Sequence, residues 1–187
     1  MRIESSFLVP APAEEAWRLL DDVPAVVPCL PGATLTEVVG DDAWKASLQV
    51  RLGPIALQFL ADVTRAERDE RARRVVLRVR AREAKGRGSA EATIESQLAG
   101  EDGGTRVDLV TELALRGAVA QYGRGLIGEV ASSLTEEFAR CIARRLGERG
   151  APEAAAADPV PIGGLGLLLA GAWRALRRRL GRPASSP

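Results

Sequence analysis

Thr105–Leu115, TRVDLVTELAL, is followed after two residues by Ala118–Leu146, AVAQYGRGLIGEVASSLTEEFARCIARRL. The two stretches obey different periods. In the first, Val107, Leu109, Thr111, Leu113 and Leu115 alternate with Arg106, Asp108, Glu112, Ala114 and Arg116, a period of two that puts them on one face of a strand. In the second, Val119, Tyr122, Leu126, Val130, Leu134, Phe138, Cys141 and Ile142 recur at threes and fours, the stripe of one long amphipathic helix over about 118–146. A half-buried strand followed directly by a helix of this length sets the two against each other.

Upstream of this switch the period stays at two. Ile3, Ser5, Phe7 and Val9 alternate in a first strand, which Pro10-Ala11-Pro12 stops. A short helix follows, with Pro12 at its first position, Glu14 and Glu15 in its first turn and Ala16, Trp17 and Leu20 as its apolar stripe. A second short helix reaches about Pro28, and Cys29–Ala33 is a turn. Strands are then predicted over 34–39, 43–52, 55–68, 74–84 and 86–99, with a hairpin signal at Glu101-Asp102-Gly103-Gly104 before 105–115. About seven strands, each with one apolar and one polar face and tight turns between them, predict an antiparallel sheet with one wet side.

A helix is about 10 Å wide and strands lie about 4.8 Å apart, so one helix covers seven strands only if the sheet wraps around it. Small residues recur at inward positions: Ala46, Ala61, Ala81, Gly88, Ala90, Ala92 and Gly123. They suit either an open space or a close helix approach. If the space is open, the sequence puts Leu48, Val50, Leu57, Phe59, Ala61, Leu77, Val79, Ala92, Ile94, Leu109, Thr111, Leu113, Tyr122, Leu126, Val130 and Leu134 on its wall. The polar groups available to orient a ligand there are Thr111, Tyr122 and Ser132 or Ser133. Trp17 and Trp44 read as core packing.

The composition excludes several chemistries. The chain of 187 residues has no His, which removes His-based triads, HExxH zinc sites and a neutral-pH imidazole base. A near-even balance of 26 basic and 25 acidic residues, with 4% aromatics, argues against nucleic acid. Cys29 and Cys141 share no motif, form no metal set, and read as two free thiols in a reducing compartment. Met1–Phe7 lacks a signal-peptide pattern. Acids sit mostly at turns or outward positions, so no catalytic constellation and no metal site is expected.

Charge divides the chain. Residues after Gly150 carry Glu153 and Asp158 against Arg174, Arg177, Arg178, Arg179 and Arg182, so the tail is three charges positive while everything before it sums to two negative. The expected organisation is a domain over 1–149, a flexible Pro/Ala-rich linker over 150–161, an amphipathic helix over 162–182 and a disordered end over 183–187. The apolar run 162–173 reaches about 18 Å as a helix, short of the roughly 30 Å hydrocarbon core. Leu165, Leu168, Leu169, Trp173 and Leu176 fall on one stripe, with Arg174, Arg177 and Arg178 on the other side. That pattern fits a helix lying in the membrane interface, its arginines on the cytoplasmic side; docking on the domain or on a partner is the alternative.

Phe7–Pro12 followed by Trp17 and Leu20-Asp21 resembles the opening of START-like (SRPBCC) helix-grip proteins. Cys29-Leu30-Pro31-Gly32-Ala33, Leu52-Gly53-Pro54, Asp69, Gly86–Ala90, Gly117–Ile127 and Phe138-Ala139, in this order, resemble the CoxG-like family of carbon monoxide dehydrogenase systems over about 1–147. Ala61 departs from a Gly expected on the family's fourth strand. The resemblance implies an α+β helix-grip fold of the START/Bet v 1-like type, a curved antiparallel sheet around a long C-terminal helix, with an apolar cavity. It implies no catalytic residues and no covalent cofactor. It also implies a bound isoprenoid quinone such as menaquinone, delivered as electron acceptor to a molybdenum-containing enzyme of carbon monoxide dehydrogenase type at the cytoplasmic membrane lipids. A ligand-free membrane anchor or maturation factor for that enzyme is the alternative.

Overall fold

The computed structural model describes residues 1–52 and 55–150. The chain falls into two units at residue 151, and the expected linker and tail helix, with every membrane-facing residue named above, lie outside the described residues. Seven strands form one sheet: β1 (Arg2–Val9), β2 (Ala33–Gly40), β3 (Ala43–Leu52), β4 (Ile55–Asp69), β5 (Arg74–Glu83), β6 (Gly88–Glu101) and β7 (Gly104–Gly117). Their order is β1-β7-β6-β5-β4-β3-β2, with every neighbouring pair antiparallel. The hairpins supply five of the six pairings. The sixth, β1 on β7, brings the first strand back to the last.

Two short helices, α1 (Ala13–Asp21) and α2 (Val23–Val26), and a 3-10 turn Val27–Cys29 carry the chain from β1 at one edge to β2 at the other. Glu14 and Glu15 sit in the first turn of α1 and Arg18 in its last, each sign at the end the macrodipole favours. Asp22 caps α2 by accepting from the Ala25 amide at 3.1 Å. The long helix α3 spans Arg124–Gly150.

The structure moves the start of that helix. Ala118–Tyr122 is a 3-10 turn, and Gly123, at φ 79°, separates it from α3. A left-handed backbone at Gly123 cannot continue a right-handed helix, so the apolar spacing of Val119 and Tyr122 belongs to the turn. The turn itself is placed by a close crossing of strand ends. A Cβ on Gly117 would lie 2.8 Å from the Gly88 Cα, so β6 and β7 can meet there only as glycines.

The larger core cluster seals one end of the grip. Val9, Trp17, Leu19, Val107, Ile142 and Leu146 are its buried centre, with Phe138 edge-on to Phe7 at 6.2 Å. Cys29 and Cys141 correct the sequence reading. They form a disulfide, with Cα atoms 5.3 Å apart across 112 residues, that ties the 3-10 turn after α2 to α3 inside this cluster. Arg145 reinforces the tie by donating to the Ala25 carbonyl. Among the described residues no helix is long and apolar enough to cross a membrane.

Candidate functional site

The strand register lays the inner face out in rows. Ala46, Ala61, Ala81 and Ala90 lie opposite one another across β3 to β6, and Leu115 of β7 completes the row. The next row is Trp44, Val63, Val79, Ala92 and Leu113. The third is Arg65, Leu77, Ile94 and Thr111, with Ile3 of β1 at its end. Below them come Val75, Ser96, Leu109 and Ser5.

Two core clusters form at the ends of this face, and between them Ala81 is the buried member of the alanine row. The larger cluster takes Val75, Leu77 and Leu109 together with the C-terminal half of α3. A smaller one gathers Val50, Phe59, Leu115, Tyr122, Leu126 and Val130 around Leu57 and Val119. Between them Leu48, Ala61, Val63, Val79, Ala92, Ile94, Thr111, Leu113 and Leu134 belong to neither cluster. All nine are half-buried, eight of them on the inner face of the sheet and Leu134 on α3 itself. Side chains sealed against a helix lose nearly all their surface, as Ile142 and Leu146 do at 0% and 1% exposure.

The structure therefore separates the sixteen sequence-predicted lining residues into two sets. Val50, Leu57, Phe59, Leu77, Leu109, Tyr122, Leu126 and Val130 pack in the end clusters, and Leu48, Ala61, Val79, Ala92, Ile94, Thr111, Leu113 and Leu134 lie between them. Ser132 and Ser133 are exposed on α3 and do not join this face. Ser5 and Ser96 do join it, flanking Leu109 on β1 and β6, and with Thr111 they place three half-buried hydroxyls in adjacent rows. The sequence reading passed over both serines. Their parity with Ile3, Phe7, Ile94 and Leu98 was the available signal.

Three charged residues also take inward positions, Arg65, Arg68 and Glu83. Arg65 lies over Trp44, 5.3 Å from the ring centroid, and donates to the Asp21 carbonyl at 2.8 Å. Its guanidinium is 3.5 Å from the Asp21 carboxylate and 3.4 Å from that of Asp42, while its Nε is buried without a partner. Arg68 closes the other side of Asp21 at 2.8 Å and covers Trp17. This clamp fixes the end of α1 to β4 and buries both tryptophans, as the core reading expected. Glu83 is the inward acid the sequence reading missed. It is buried beside Phe59 and accepts from the Lys85 and Arg87 amides at 2.9 and 3.0 Å. The Arg87 amide, then the Lys85 amide and the Arg87 charge, hold its carboxyl below the usual range against the opposing effect of burial. These charged groups are spent on neighbouring backbone and ion pairs. The half-buried positions between the clusters are aliphatic apart from Thr111, with Ser96 and Ser5 in the row below it.

A curved antiparallel sheet closed on a C-terminal helix defines a START-like, helix-grip protein. The chain belongs to the CoxG family, the G-type subunits of carbon monoxide dehydrogenase, whose pattern matches residues 6–147. No curated protein matches it in sequence. Among solved structures it resembles a conserved protein from Geobacillus kaustophilus, with TM-score 0.71 and 23% identity over 79% of this chain and 96% of that one. The Zhui aromatase/cyclase from Streptomyces sp. R1128 superposes with TM-score 0.59 at 15% identity, covering 80% and 94%. A START superfamily protein from Mycobacterium smegmatis gives 0.53 at 12%, covering 79% and 98%. At these identities the likeness is one of fold. One of these neighbours is an enzyme, so the fold alone does not decide between catalysis and carriage.

Proposed function

We propose that this chain is a non-catalytic carrier of an apolar ligand, an isoprenoid quinone of the menaquinone kind. It serves a molybdenum-containing enzyme of carbon monoxide dehydrogenase type at the membrane. The observation that carries the reading is the set of half-buried aliphatic side chains on the inner face that belong to neither core cluster. Such a lining suits a long hydrocarbon, and the Ser5, Ser96 and Thr111 hydroxyls suit a ring carbonyl. Family membership supports the association with a carbon monoxide dehydrogenase system. The basic, apolar tail supports residence at an anionic lipid surface. The Cys29–Cys141 bond weighs against the cytoplasmic side, because reducing compartments keep thiols apart. Thiol trapping in intact host cells decides that point.

Native mass spectrometry and solvent extraction of protein purified from its host test the carrier reading. An isoprenoid lipid is expected in the extract, and Ala92→Trp should abolish it by taking the ligand's place. Extracts free of lipid would sink the proposal. Intact electron transfer with Ala92→Trp would favour a ligand-free anchor instead.

A further inference from the structure

The outer face of the sheet divides by charge. Toward one end its arginines have close acids: Arg74 lies 2.6 Å from Glu67 and 2.5 Å from Glu95, and Arg106 lies 2.5 Å from Glu101 and 3.0 Å from Asp108. Toward the other end Arg78, Arg80 and Arg82 alternate along β5, the central strand of the seven. All three are exposed, and among the described residues none comes within 4.0 Å of a carboxylate. Register explains why. Arg78 lies between Thr64 and Thr93, and Arg82 between Leu60 and Ser89. Arg80 has acids opposite, Asp62 and Glu91, yet closes with neither, and Glu91 sits 3.8 Å from Arg116 instead.

We infer that this arginine row is a docking strip for a partner protein that presents carboxylates in a row of its own. Residues two apart on a strand lie about 6.7 Å from each other on one face, so the three guanidiniums repeat at the spacing of alternate side chains on a facing strand or extended loop. Each is a planar fork that takes a carboxylate at two points. Beside the row a depression of about 530 Å³ crosses β5, β6 and β7 and is bordered by Arg78, Arg80, Glu91, Thr93 and Glu112. It is roomy enough for the side chains of such a segment. The outer face of a sheet that curves around its helix meets a flat bilayer along a line only. Leu60 is the one strongly exposed large apolar residue next to the row, too little to insert. The strip lies on the opposite side of the sheet from the ligand-facing residues and does not rest on the carrier reading.

Binding of the full chain to a twelve-residue peptide of alternating Glu and Thr, followed by fluorescence anisotropy at low salt, tests this. Reversing the row with Arg78→Glu, Arg80→Glu and Arg82→Glu together should weaken binding about tenfold or more, while Arg106→Gln, on the ion-paired half, should leave it unchanged. Amide shifts on titration of the unmodified chain should centre on residues 78–82 and 89–93, a readout that survives if the triple variant misfolds. No binding, shifts centred elsewhere, or equal binding by a folded triple variant would overturn the inference. So would phosphatidylglycerol vesicles competing for the same three arginines more strongly than the peptide.

Discussion

Opening the Cys29–Cys141 bond isolates what the tie contributes. The two residues are 112 positions apart, so the bond closes most of the domain into one loop. In the chain-entropy account a loop of this order destabilises the unfolded state by about 4.7 kcal/mol, and native disulfides in small domains are worth about 2–5 kcal/mol when removed. For a domain of this size each kcal/mol moves the melting point by about 2–4 °C, so reduction should lower it by about 4–20 °C. Reduction creates no cavity, because both sulfurs stay in the cluster with Trp17, Ile142 and Leu146, and thiols are small apolar groups. The fall should therefore be reproduced by Cys29→Ala with Cys141→Ala, plus a small packing loss. Differential scanning calorimetry with and without dithiothreitol measures the shift, and thiol titration in guanidinium counts the sulfhydryls. Two reactive thiols in unreduced, unfolded protein, or a melting point that reduction leaves in place, would refute the tie and restore the free-thiol reading.

Three further outcomes follow from the same geometry. Ile142→Ala, at a fully buried site in the larger cluster, should cost about 2–5 kcal/mol in urea unfolding. Leu134→Ala, half-buried between the clusters, should cost clearly less, and equal losses would mean that the middle is packed after all. Glu83 has a depressed folded-state carboxyl, so its stabilising effect is complete above the ordinary Glu range and is lost as pH falls through the folded value. Glu83→Gln should flatten the acid limb of the stability curve below about pH 4, and an unchanged limb would remove that role. Ser5→Ala, Ser96→Ala and Thr111→Ala should each leave stability within about 0.5 kcal/mol while weakening retention of a quinone about three- to tenfold. Unchanged retention in all three would place the ligand's polar end elsewhere.

The strands were legible because a period of two is local. Val107 through Leu115 and Val75 through Ala81 declare their inner face without reference to any partner. The turn at Ala118–Tyr122 was not, since Val119 and Tyr122 keep helical spacing and only the backbone of Gly123 breaks it. Arg65 and Glu83 escaped for a different reason. A charge at inward parity contradicts the alternation rule until its partners are known. Those of Arg65 arrive from Asp21, 44 residues earlier, and those of Glu83 from amides turned back by the next hairpin. The disulfide was hidden by the same 112-residue distance, which no spacing rule spans.

Those missed residues share a position, and the position bears on function. Arg65 with Asp21, Glu83 with its hairpin, and Cys29 with Cys141 all fasten the ends of the inner face or the elements that border it. A domain of this size commonly draws its stability from a continuous core. Here the core is interrupted, and the described fastenings concentrate where the interruption stops. On the carrier reading, fixing the ends by ion pairs, capped amides and a covalent bond lets the middle admit a hydrocarbon, whose burial adds stability by mass action. On that reasoning the ligand-loaded domain should melt higher than the delipidated one, and Ala92→Trp, which fills the same space with the protein's own side chain, should close most of that difference.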